Sequence, residues 1–413
     1  MDLFDKLQYR PSPLGKFTSK GYGYYTYPKL EGPLGPVMKF NGSDVIVWSI
    51  NDYLGIGSNE EIRQYDINIA RDYSLSNPMG ARLMTGNSTE HEKLEEELAD
   101  FVHKPDALLL NYGYQGIMSV IHALVDRNDI LIYDELSHAC IVDGKQLAMA
   151  EKFVFKHNDI DSFTKQLKRA HRNAKPNSSI LVVTEGAFGM TGDLGILKEM
   201  IALKERFPFR LLVDDAHGVG TMGEDGSGTG THLRCHDGID IYFGTFAKAF
   251  ALIGAFIATE PRVVEFLKAN ARSQIFAKSL PMPIVKSARK RLMMIRQHPE
   301  WRKQLWKNTR RLRNGLRELG YNVLPAECPV TPVLTKGSTD LCQLIMRRLR
   351  EEHGVFVSGV TYPVVPKGTV LIRLIPTAAH TEKHIQQTLN GFEAIKDVAL
   401  RSVSAEVQKK MTA

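Results

Sequence analysis

Short, continuous apolar runs recur through the middle of this 413-residue chain, separated by stretches with helical periodicity. Continuous rather than alternating runs are typical of strands that are buried on both faces of a parallel sheet. Because the runs alternate with helical stretches, they predict an α/β fold with a mostly parallel sheet. The predicted strands are Ala107–Leu110, Ile130–Tyr133, Phe153–Phe155, Ile180–Thr184, Leu211–Val213, Ile239–Phe243 and Leu252–Ala258.

The composition of the chain changes on either side of these runs. Residues 1–55 are rich in glycine, proline and tyrosine, which predicts an irregular N-terminal arm with one short strand near residues 44–49. The large domain is expected over residues 56–286. Beyond it, a basic helical stretch and three further strand-like runs predict a smaller α+β domain over residues 287–413. Those runs are Val330–Leu334, Val355–Ser358 and Val370–Ile375.

Composition excludes several classes of protein. With 43% hydrophobic and 24% charged residues, the chain resembles neither a disordered nor a coiled-coil protein. Its four cysteines form no CxxC pair, which argues against a disulfide framework or a zinc site. The net charge of +7 is too small to indicate a nucleic-acid partner. Since neither a secretory signal nor a membrane-spanning apolar run is recognised, we expect a cytoplasmic protein.

The positive charge is concentrated in one part of the chain. Residues 286–317 contain twelve lysines or arginines and one acid, Glu300. One interpretation is a solvated helix face with Trp301, Trp306 and Leu312 packed inward. The other is that part of this face makes peripheral contact with an anionic membrane, on its inner surface.

Polar side chains follow the predicted strands, at the sheet edge where ligands gather in such folds. Lys248 follows a buried strand, where partial desolvation favours Schiff-base chemistry. Asp214 ends another strand and, as a buried carboxylate, needs a cationic partner such as the protonated pyridine nitrogen of pyridoxal phosphate (PLP). His217 is placed to reach the phenolic oxygen of the same ring, and His138 to stack on it. Each residue alone is more often structural, but together they indicate a PLP enzyme.

A phosphate group needs backbone N–H groups and hydroxyls. Gly113 and Tyr114 open a predicted helix and offer helix-start amides, and Thr245 offers a hydroxyl. A second glycine series superficially resembles a nucleotide loop, but it lacks the preceding strand and the following helix, so we interpret it as a turn-rich connection. That series is Gly223, Gly226, Gly228 and Gly230.

Seven motifs, found in the same order over about residues 45–390, resemble the α-oxoamine synthase family. These are PLP enzymes of the aspartate-aminotransferase fold, and they include serine palmitoyltransferase, glycine C-acetyltransferase, 8-amino-7-oxononanoate synthase and 5-aminolevulinate synthase. The motifs are Asn51-Asp52-Tyr53-Leu54-Gly55, Gly80-Ala81-Arg82-Leu83-Met84-Thr85-Gly86, His91 with Leu94-Glu95, Thr184-Glu185-Gly186, Asp214-Asp215-Ala216-His217-Gly218, Gly244-Thr245-Phe246-Ala247-Lys248 and Ala378-Ala379-His380-Thr381.

The resemblance implies a role for each candidate residue. Lys248 holds PLP and moves protons at the substrate α-carbon, and Asp214, His217 and His138 act with it as the catalytic set. The residues implied to contact PLP are Gly113, Tyr114, His138, Asp214, Ala216, His217, Thr245 and Lys248. The residues implied to hold the amino-acid carboxylate are Arg373, by a bidentate guanidinium clamp, and Asn51.

The resemblance also implies the reaction, a decarboxylative condensation of an amino acid with acyl-CoA. Residues 19–25 and 266–273 are closer to bacterial serine palmitoyltransferases, whereas residues 362–368 are closer to glycine C-acetyltransferase. We expect serine or a serine-like amino acid, a long-chain acyl group, and a homodimer with active sites at the subunit interface. The alternatives are a glycine C-acetyltransferase or 8-amino-7-oxononanoate synthase-type reaction and, outside the family, an aminotransferase.

The chain departs from the family pattern in three places. Gly189 stands where a serine is usual, and it removes a hydroxyl expected near the phenolic oxygen of PLP. Ser137 replaces the usual asparagine before the stacking histidine. Ala277-Lys278 replaces a hydroxyl residue that reaches the phosphate of the neighbouring subunit.

Overall fold

The computed structural model describes residues 2–9, 21–362 and 364–400 and divides the chain into two units. The large unit is Asn51–Gln304, and the small unit combines Met1–Ile50 with Leu305–Ala413. Of the stretches compared with individual family members above, residues 19, 20 and 363 lie outside the described residues.

The helices and strands alternate through most of the chain. The strands are β1 Leu30–Glu31, β2 Val37–Phe40, β3 Ser43–Val47, β4 Asp106–Leu110, β5 Ile130–Asp134, β6 Glu151–Phe155, β7 Ile180–Glu185, β8 Arg210–Asp214, β9 Ile241–Thr245, β10 Ala255–Thr259, β11 Asn322–Val323, β12 Thr331–Lys336, β13 Val355–Phe356, β14 Ser358–Val360 and β15 Thr369–Leu374. The helices are α1 Leu3–Tyr9, α2 Glu60–Tyr73, α3 Thr89–Phe101, α4 Gly113–Leu124, α5 Ala139–Leu147, α6 Ile160–Asn173, α7 Leu197–Ala202, α8 Thr229–His232, α9 Pro261–Asn270, α10 Arg272–Ile275, α11 Met282–Gln297, α12 Pro299–Glu318, α13 Thr339–His353 and α14 Glu382–Ala394.

The large unit is built on one seven-stranded sheet with the order β4-β10-β9-β8-β7-β5-β6. Every neighbouring pair is parallel except the two that involve β10, which runs antiparallel to β4 and β9. All residues of β5, β7 and β9 are buried. Burial on both faces explains why the apolar runs are continuous, and it confirms the predicted α/β fold with a mostly parallel sheet.

Each of the seven predicted runs contributes a strand, but two of the strands begin later than expected. Ile239 follows a 3₁₀ turn at His236–Gly238, so that β9 starts at Ile241. Gly254 has a φ of 126°, in the region that favours glycine, and β10 starts only after it. Both differences arise from turns that the apolar pattern does not reveal.

The described residues of the small unit form two four-stranded sheets, ordered β1-β2-β3-β13 and β11-β12-β15-β14. The expectation of an irregular N-terminal arm with one strand is therefore corrected, because residues 30–47 form three strands. The last of them, β3, pairs in parallel with β13 from the C-terminal part of the chain. The hairpin between β2 and β3 turns at Asn41-Gly42, where both residues have positive φ, as a two-residue hairpin loop requires.

The boundary between the units differs from the expected one. Residues 286 and 287 lie inside α11, and α11 packs on α2 and α3 of the large unit. The change of unit comes instead at residues 304 and 305, within α12. The expected start of the large domain at residue 56 corresponds to residue 51 here.

Ion pairs neutralise the part of the basic stretch that lies on α11. Five basic side chains of α11 each pair with an acid of α2 or α3: Lys286 and Arg289 with Glu90, Lys290 with Glu61, Arg291 with Asp66, and Arg296 with Asp100.

In α12, Leu312 is buried, whereas Trp301 and Trp306 are only half-buried. Contact of this face with anionic lipid stays a prediction. In the part of the chain that the structure describes, no helix is both long enough and apolar enough to cross a membrane.

Candidate PLP site in the large unit

Two buried carboxylates lie side by side at the carboxyl edge of the sheet. Asp214 ends β8 and Glu185 ends β7, and the two residues are partners in the parallel register. Burial raises the pKa of Asp214, against the opposing effects of the Lys248 charge and of a 3.1 Å hydrogen bond from the Ala216 N–H. Burial and the neighbouring Asp214 charge raise the pKa of Glu185 well above its usual range. This edge therefore stabilises a cation placed against it.

Glu185 supports the residue predicted to stack on PLP. Its Oε1 accepts a 2.7 Å hydrogen bond from the N–H of His138, the residue that caps α5. The imidazole Nδ1 of His138 lies 2.9 Å from the Sγ of Cys140, and that Sγ lies 3.9 Å from Asp214 Oδ2. Sequence reasoning assigned no role to Glu185 or Cys140. A charged residue at the end of a buried run was the available signal for Glu185.

Lys248 lies in the loop that follows β9 and is half-buried. Its positive charge lowers the pKa values of Asp214, Glu185 and Cys140, so its amine belongs to the same cluster. Locally the loop is closed by a 2.8 Å hydrogen bond from the Ala251 N–H to the Lys248 carbonyl. The expected convergence of lysine and aspartate at one sheet edge is what the structure shows.

The start of α4 lies close to the end of β9. An added Cβ at Gly113 would lie 3.2 Å from Thr245 Oγ1, so the two elements approach closely there. The first N–H groups of a helix have no acceptor within it, and the helix dipole favours an anion at this end. The side chain of Tyr114 is exposed and its hydroxyl hydrogen-bonds Asp143, so Tyr114 offers its backbone N–H to an anion here.

His217 is buried two residues beyond the Asp214–Asp215 pair. Its Nδ1 lies 2.8 Å from the hydroxyl of Tyr53, a side chain with no exposed surface. Ala216, which precedes it, is half-buried beside Asp214. The sequence placed His217 in the site, but it gave no sign of the partner 164 residues away.

The glycine series after His217 belongs to a connection, not to a nucleotide loop. Asp215 accepts hydrogen bonds from the Thr229 N–H at 2.7 Å and from the Thr229 hydroxyl at 2.6 Å, and Tyr242 donates a further one. Glycines 223, 226 and 228 have positive φ. Asp215 therefore holds this loop closed from inside.

Two further residues, Arg373 and Asn51, are predicted to hold the amino-acid carboxylate. Arg373 lies on β15 of the small unit, between β12 and β14, and is half-buried. Asn51 is the first residue of the large unit, and its carbonyl accepts a 2.9 Å hydrogen bond from the Tyr53 N–H. Their role in holding a carboxylate remains a prediction.

The residues present fit PLP. They supply a buried carboxylate for a pyridinium nitrogen, a half-buried amine, a buried imidazole, and a hydroxyl beside helix-start N–H groups. Among the described residues, no group of three or more histidine, cysteine, aspartate or glutamate side chains could hold a metal ion. All four cysteines are described, and none forms a disulfide.

Comparison with known proteins agrees with this chemistry. The model of the aminotransferase class I and II family matches residues 43–392. A cysteate-C-fatty acyltransferase from Capnocytophaga ochracea is 49% identical over 415 residues, covering 99% of each chain. An 8-amino-7-oxononanoate synthase from Thermoanaerobacter pseudethanolicus is 34% identical over 367 residues, covering 89% of this chain and 91% of the relative.

Solved structures agree as well. A serine palmitoyltransferase from S. paucimobilis with a bound PLP–myriocin adduct matches with a TM-score of 0.88 at 28% identity, covering 98% of this chain and all of the other. Serine palmitoyltransferase from Sphingomonas wittichii matches with a TM-score of 0.84 at 29% identity, covering 91% and 92% of the two chains.

The fold and the family match define a PLP-dependent transferase of aminotransferase class I and II. Since its similar relatives are acyltransferases and oxononanoate synthases, the chain belongs to the α-oxoamine synthase family within that class, and it is a PLP-dependent acyltransferase.

Proposed function

We propose that this enzyme condenses cysteate, a serine-like amino acid that carries a sulfonate, with a long-chain fatty acyl-CoA. The bond between the amino-acid α-carbon and its carboxylate breaks, and a bond from the α-carbon to the acyl carbonyl carbon forms. CO2 and the CoA thiol leave, and one proton is taken up. The product is a 3-oxo amino lipid precursor with a sulfonate in place of the hydroxyl that serine would supply.

The observation that carries the choice of amino acid is the full-length likeness to the Capnocytophaga ochracea acyltransferase. That relative is 49% identical over 99% of both chains, against 34% for the oxononanoate synthase and 28–29% for the serine palmitoyltransferase structures. Serine is the second candidate, because serine palmitoyltransferases match the fold over almost the whole chain.

The buried cluster supports a separate proposed role for each of its residues. When bound, PLP supplies an electron sink for the negative charge that develops at the amino-acid α-carbon. Lys248 attaches the cofactor through its amine and afterwards moves the α-proton. Asp214 keeps the pyridine nitrogen protonated, and since its carboxylate is buried, water does not weaken that ion pair. His217 donates to the phenolic oxygen.

The remaining residues orient the cofactor. His138 stacks on one ring face, held by the hydrogen bond from its N–H to Glu185, and Ala216 packs on the other. Thr245 and the helix-start N–H groups of Gly113 and Tyr114 hold the phosphate. For Arg373 and Asn51 the proposed role is to bind the amino-acid carboxylate.

The enzyme is further proposed to be a homodimer. Large apolar side chains are exposed on two loops of the large unit that are joined by a 2.9 Å hydrogen bond from the Ser279 N–H to the Gly80 carbonyl. An exposed apolar patch of this kind is typical of a protein interface. The patch, termed here the apolar loop patch, consists of Leu75, Met79, Leu83, Met84 and Phe276.

A matrix of amino acids against acyl-CoAs tests the substrate proposal. Cysteate, serine, alanine and glycine are each combined with acetyl-CoA and palmitoyl-CoA, and release of the CoA thiol is measured. We expect the highest kcat/KM for cysteate with palmitoyl-CoA. A preference for serine would show that serine, not cysteate, is the amino-acid substrate. Activity confined to glycine with acetyl-CoA would contradict the whole proposal.

A further inference from the structure

The ring of His217 lies where the family's usual side chain at position 189 would be. A Cβ added to Gly189 would lie 2.7 Å from Cδ2 and 2.8 Å from Cε1 of that ring, and closer still to Nε2. Real Cβ atoms do not approach other atoms so closely, so any side chain at 189 must displace the imidazole. The absence of the usual serine and the position of the histidine are therefore linked.

The backbone is fixed by hydrogen bonds on both sides of this contact, at Gly189 and at His217. The 188–193 turn that carries Gly189 is closed by hydrogen bonds of 2.9 Å from the Phe188 N–H to the Asp193 carbonyl and from the Gly192 N–H to the Phe188 carbonyl. The carbonyl of His217 accepts a 2.6 Å hydrogen bond from the Thr221 hydroxyl. Neither backbone is free to move away from an added side chain.

The far side of the imidazole is held by Tyr53. Its hydroxyl lies 2.8 Å from Nδ1, and the two rings meet edge to face with centroids 6.1 Å apart. Tyr53 has no exposed surface, and its own N–H is bonded to the Asn51 carbonyl at 2.9 Å. A buried phenol fixed at its base holds the position of the histidine ring that it contacts.

We propose that Tyr53 is a positioning residue for His217 and that Gly189 provides the space which the positioned ring requires. The Tyr53 hydroxyl donates to Nδ1, so the ring proton sits on Nε2, the atom that faces Gly189. Nε2–H is then the donor to the phenolic oxygen of PLP, beside the position where the serine hydroxyl is missing. This inference rests on the proposed role of His217 in binding that oxygen.

The unexpected consequence is that restoring the family's usual serine damages this enzyme. The added Cβ displaces the ring, and the new hydroxyl does not restore the donor geometry. If the serine hydroxyl only supplied a hydrogen bond that this enzyme lacks, Gly189→Ser would instead leave activity unchanged or raise it.

The test uses the PLP-loaded enzyme and four variants: Tyr53→Phe, Gly189→Ala, Gly189→Ser and His217→Gln. The visible absorbance of bound PLP is titrated against pH, because its midpoint responds to the hydrogen bond at the phenolic oxygen and not to general stability. For Tyr53→Phe and both Gly189 variants we expect the midpoint to shift by about 0.5–1 pH unit, and kcat to fall about tenfold with KM for the amino acid within about twofold.

Tyr321→Phe is the matched control, because it also removes a buried hydroxyl, one that donates a 2.6 Å hydrogen bond to a backbone carbonyl in the small unit. It should leave the absorbance titration unchanged. If Gly189→Ser does not fold, Tyr53→Phe, which removes one oxygen and adds no atom, still decides the question.

Different variants test the role of His217 and the positioning role of Tyr53 and Gly189. If His217→Gln leaves the absorbance midpoint unchanged, the proposed role of His217 is wrong. If His217→Gln shifts the midpoint while Tyr53→Phe and Gly189→Ala do not, the positioning role of Tyr53 and Gly189 is wrong and the proposed function stands.

Discussion

At the scale of single residues, the site depends on charges that the fold buries against one another. Asp214 and Glu185 end neighbouring strands, and burial raises the pKa of both carboxyl groups. Two adjacent buried acids favour a cation between them, and Lys248 already lowers the pKa values of both. A protonated pyridine ring is a cation of the kind that this cluster stabilises.

Lys248 is expected to be the single point of covalent attachment. After borohydride reduction of the PLP-loaded enzyme, mass spectrometry of peptides should find the cofactor on the peptide that contains Lys248. Lys248→Ala should lose this adduct and at least about a thousandfold in kcat, because both attachment and proton transfer are removed. An adduct on another lysine with activity retained would contradict the assignment.

The principal residues of the cluster were predictable from the sequence because each is a polar residue at the end of an apolar run. Asp214 and Thr245 end buried strands and Lys248 follows one, and a parallel sheet brings such strand ends together. The partners of these residues were not predictable. Tyr53 lies 164 positions from His217, and a distance along the chain of that size leaves no local pattern.

At the scale of secondary-structure elements, one turn is supported by a half-buried histidine. His157 lies after β6, and its ring bridges Asp134 at 3.0 Å and Asp193 at 2.6 Å. Burial alone would lower the pKa of His157, but the hydrogen bonds to the two aspartates raise it to about 10. Asp193 closes the turn that carries Gly189, so this charged bridge stabilises one wall of the site.

The His157 bridge predicts a dependence of stability on pH. A histidine whose pKa rises from about 6.5 unfolded to about 10 folded contributes stability that is complete below pH 6.5 and is lost as the pH rises through 10. Relative to wild type, His157→Asn should lower the free energy of unfolding by about 2–3 kcal/mol at pH 6 and by much less at pH 9.5. Urea unfolding at both pH values measures the difference, and an equal loss at both would show that the bridge is uncharged.

A second prediction concerns the ion pairs between α11 and its neighbours. Arg291 is 4% exposed and forms two hydrogen bonds to Asp66, at 2.9 and 2.8 Å, whereas Arg296 is 40% exposed and pairs with Asp100 at 2.8 Å. Asp66→Asn should therefore lower stability by about 3 kcal/mol, because it leaves a buried guanidinium without its counter-charge. The matched Asp100→Asn should cost about 0–1 kcal/mol. Equal losses in thermal unfolding would refute this account of the basic stretch.

Elements were easiest to predict where one sequence signal dominates. The buried strands of the large unit were found because their apolar runs are continuous. The hairpin of β2 and β3 was missed, although Asn41-Gly42 between two apolar runs is a strong hairpin signal. It was obscured by the many glycines and prolines around it. The basic stretch was interpreted without its partners, because the acids of α2 and α3 lie some 200 residues earlier in the chain.

At the scale of the whole molecule, the fold class and the family were predictable, whereas the division into units was not. The seven motifs are spread from residue 51 to residue 381, so they identify the family regardless of where the units begin. The boundaries depend on which element packs on which. The sequence did not show that β3 pairs with β13 or that α11 packs on α2.

The apolar loop patch predicts self-association. Met84 is 78% exposed and Phe276 is 72% exposed, which is costly for a chain that stays monomeric. Met84→Glu should shift the mass measured by light scattering from twice the chain mass towards the 46.4 kDa monomer. Ile67→Glu, at an exposed apolar position on α2, serves as the control and should leave the dimer intact. A monomeric wild-type enzyme would rule out the proposed dimer.

The most direct test of the proposed reaction follows the carboxyl carbon of the amino acid. The PLP-loaded enzyme is mixed with cysteate labelled at the carboxyl carbon and with palmitoyl-CoA, and labelled CO2, free thiol and amino lipid are quantified together. The account predicts that the three appear in equal amounts and that the lipid carries no label. Transfer of the amino group to a keto acid without thiol release, or a lipid that retains the label, would contradict it.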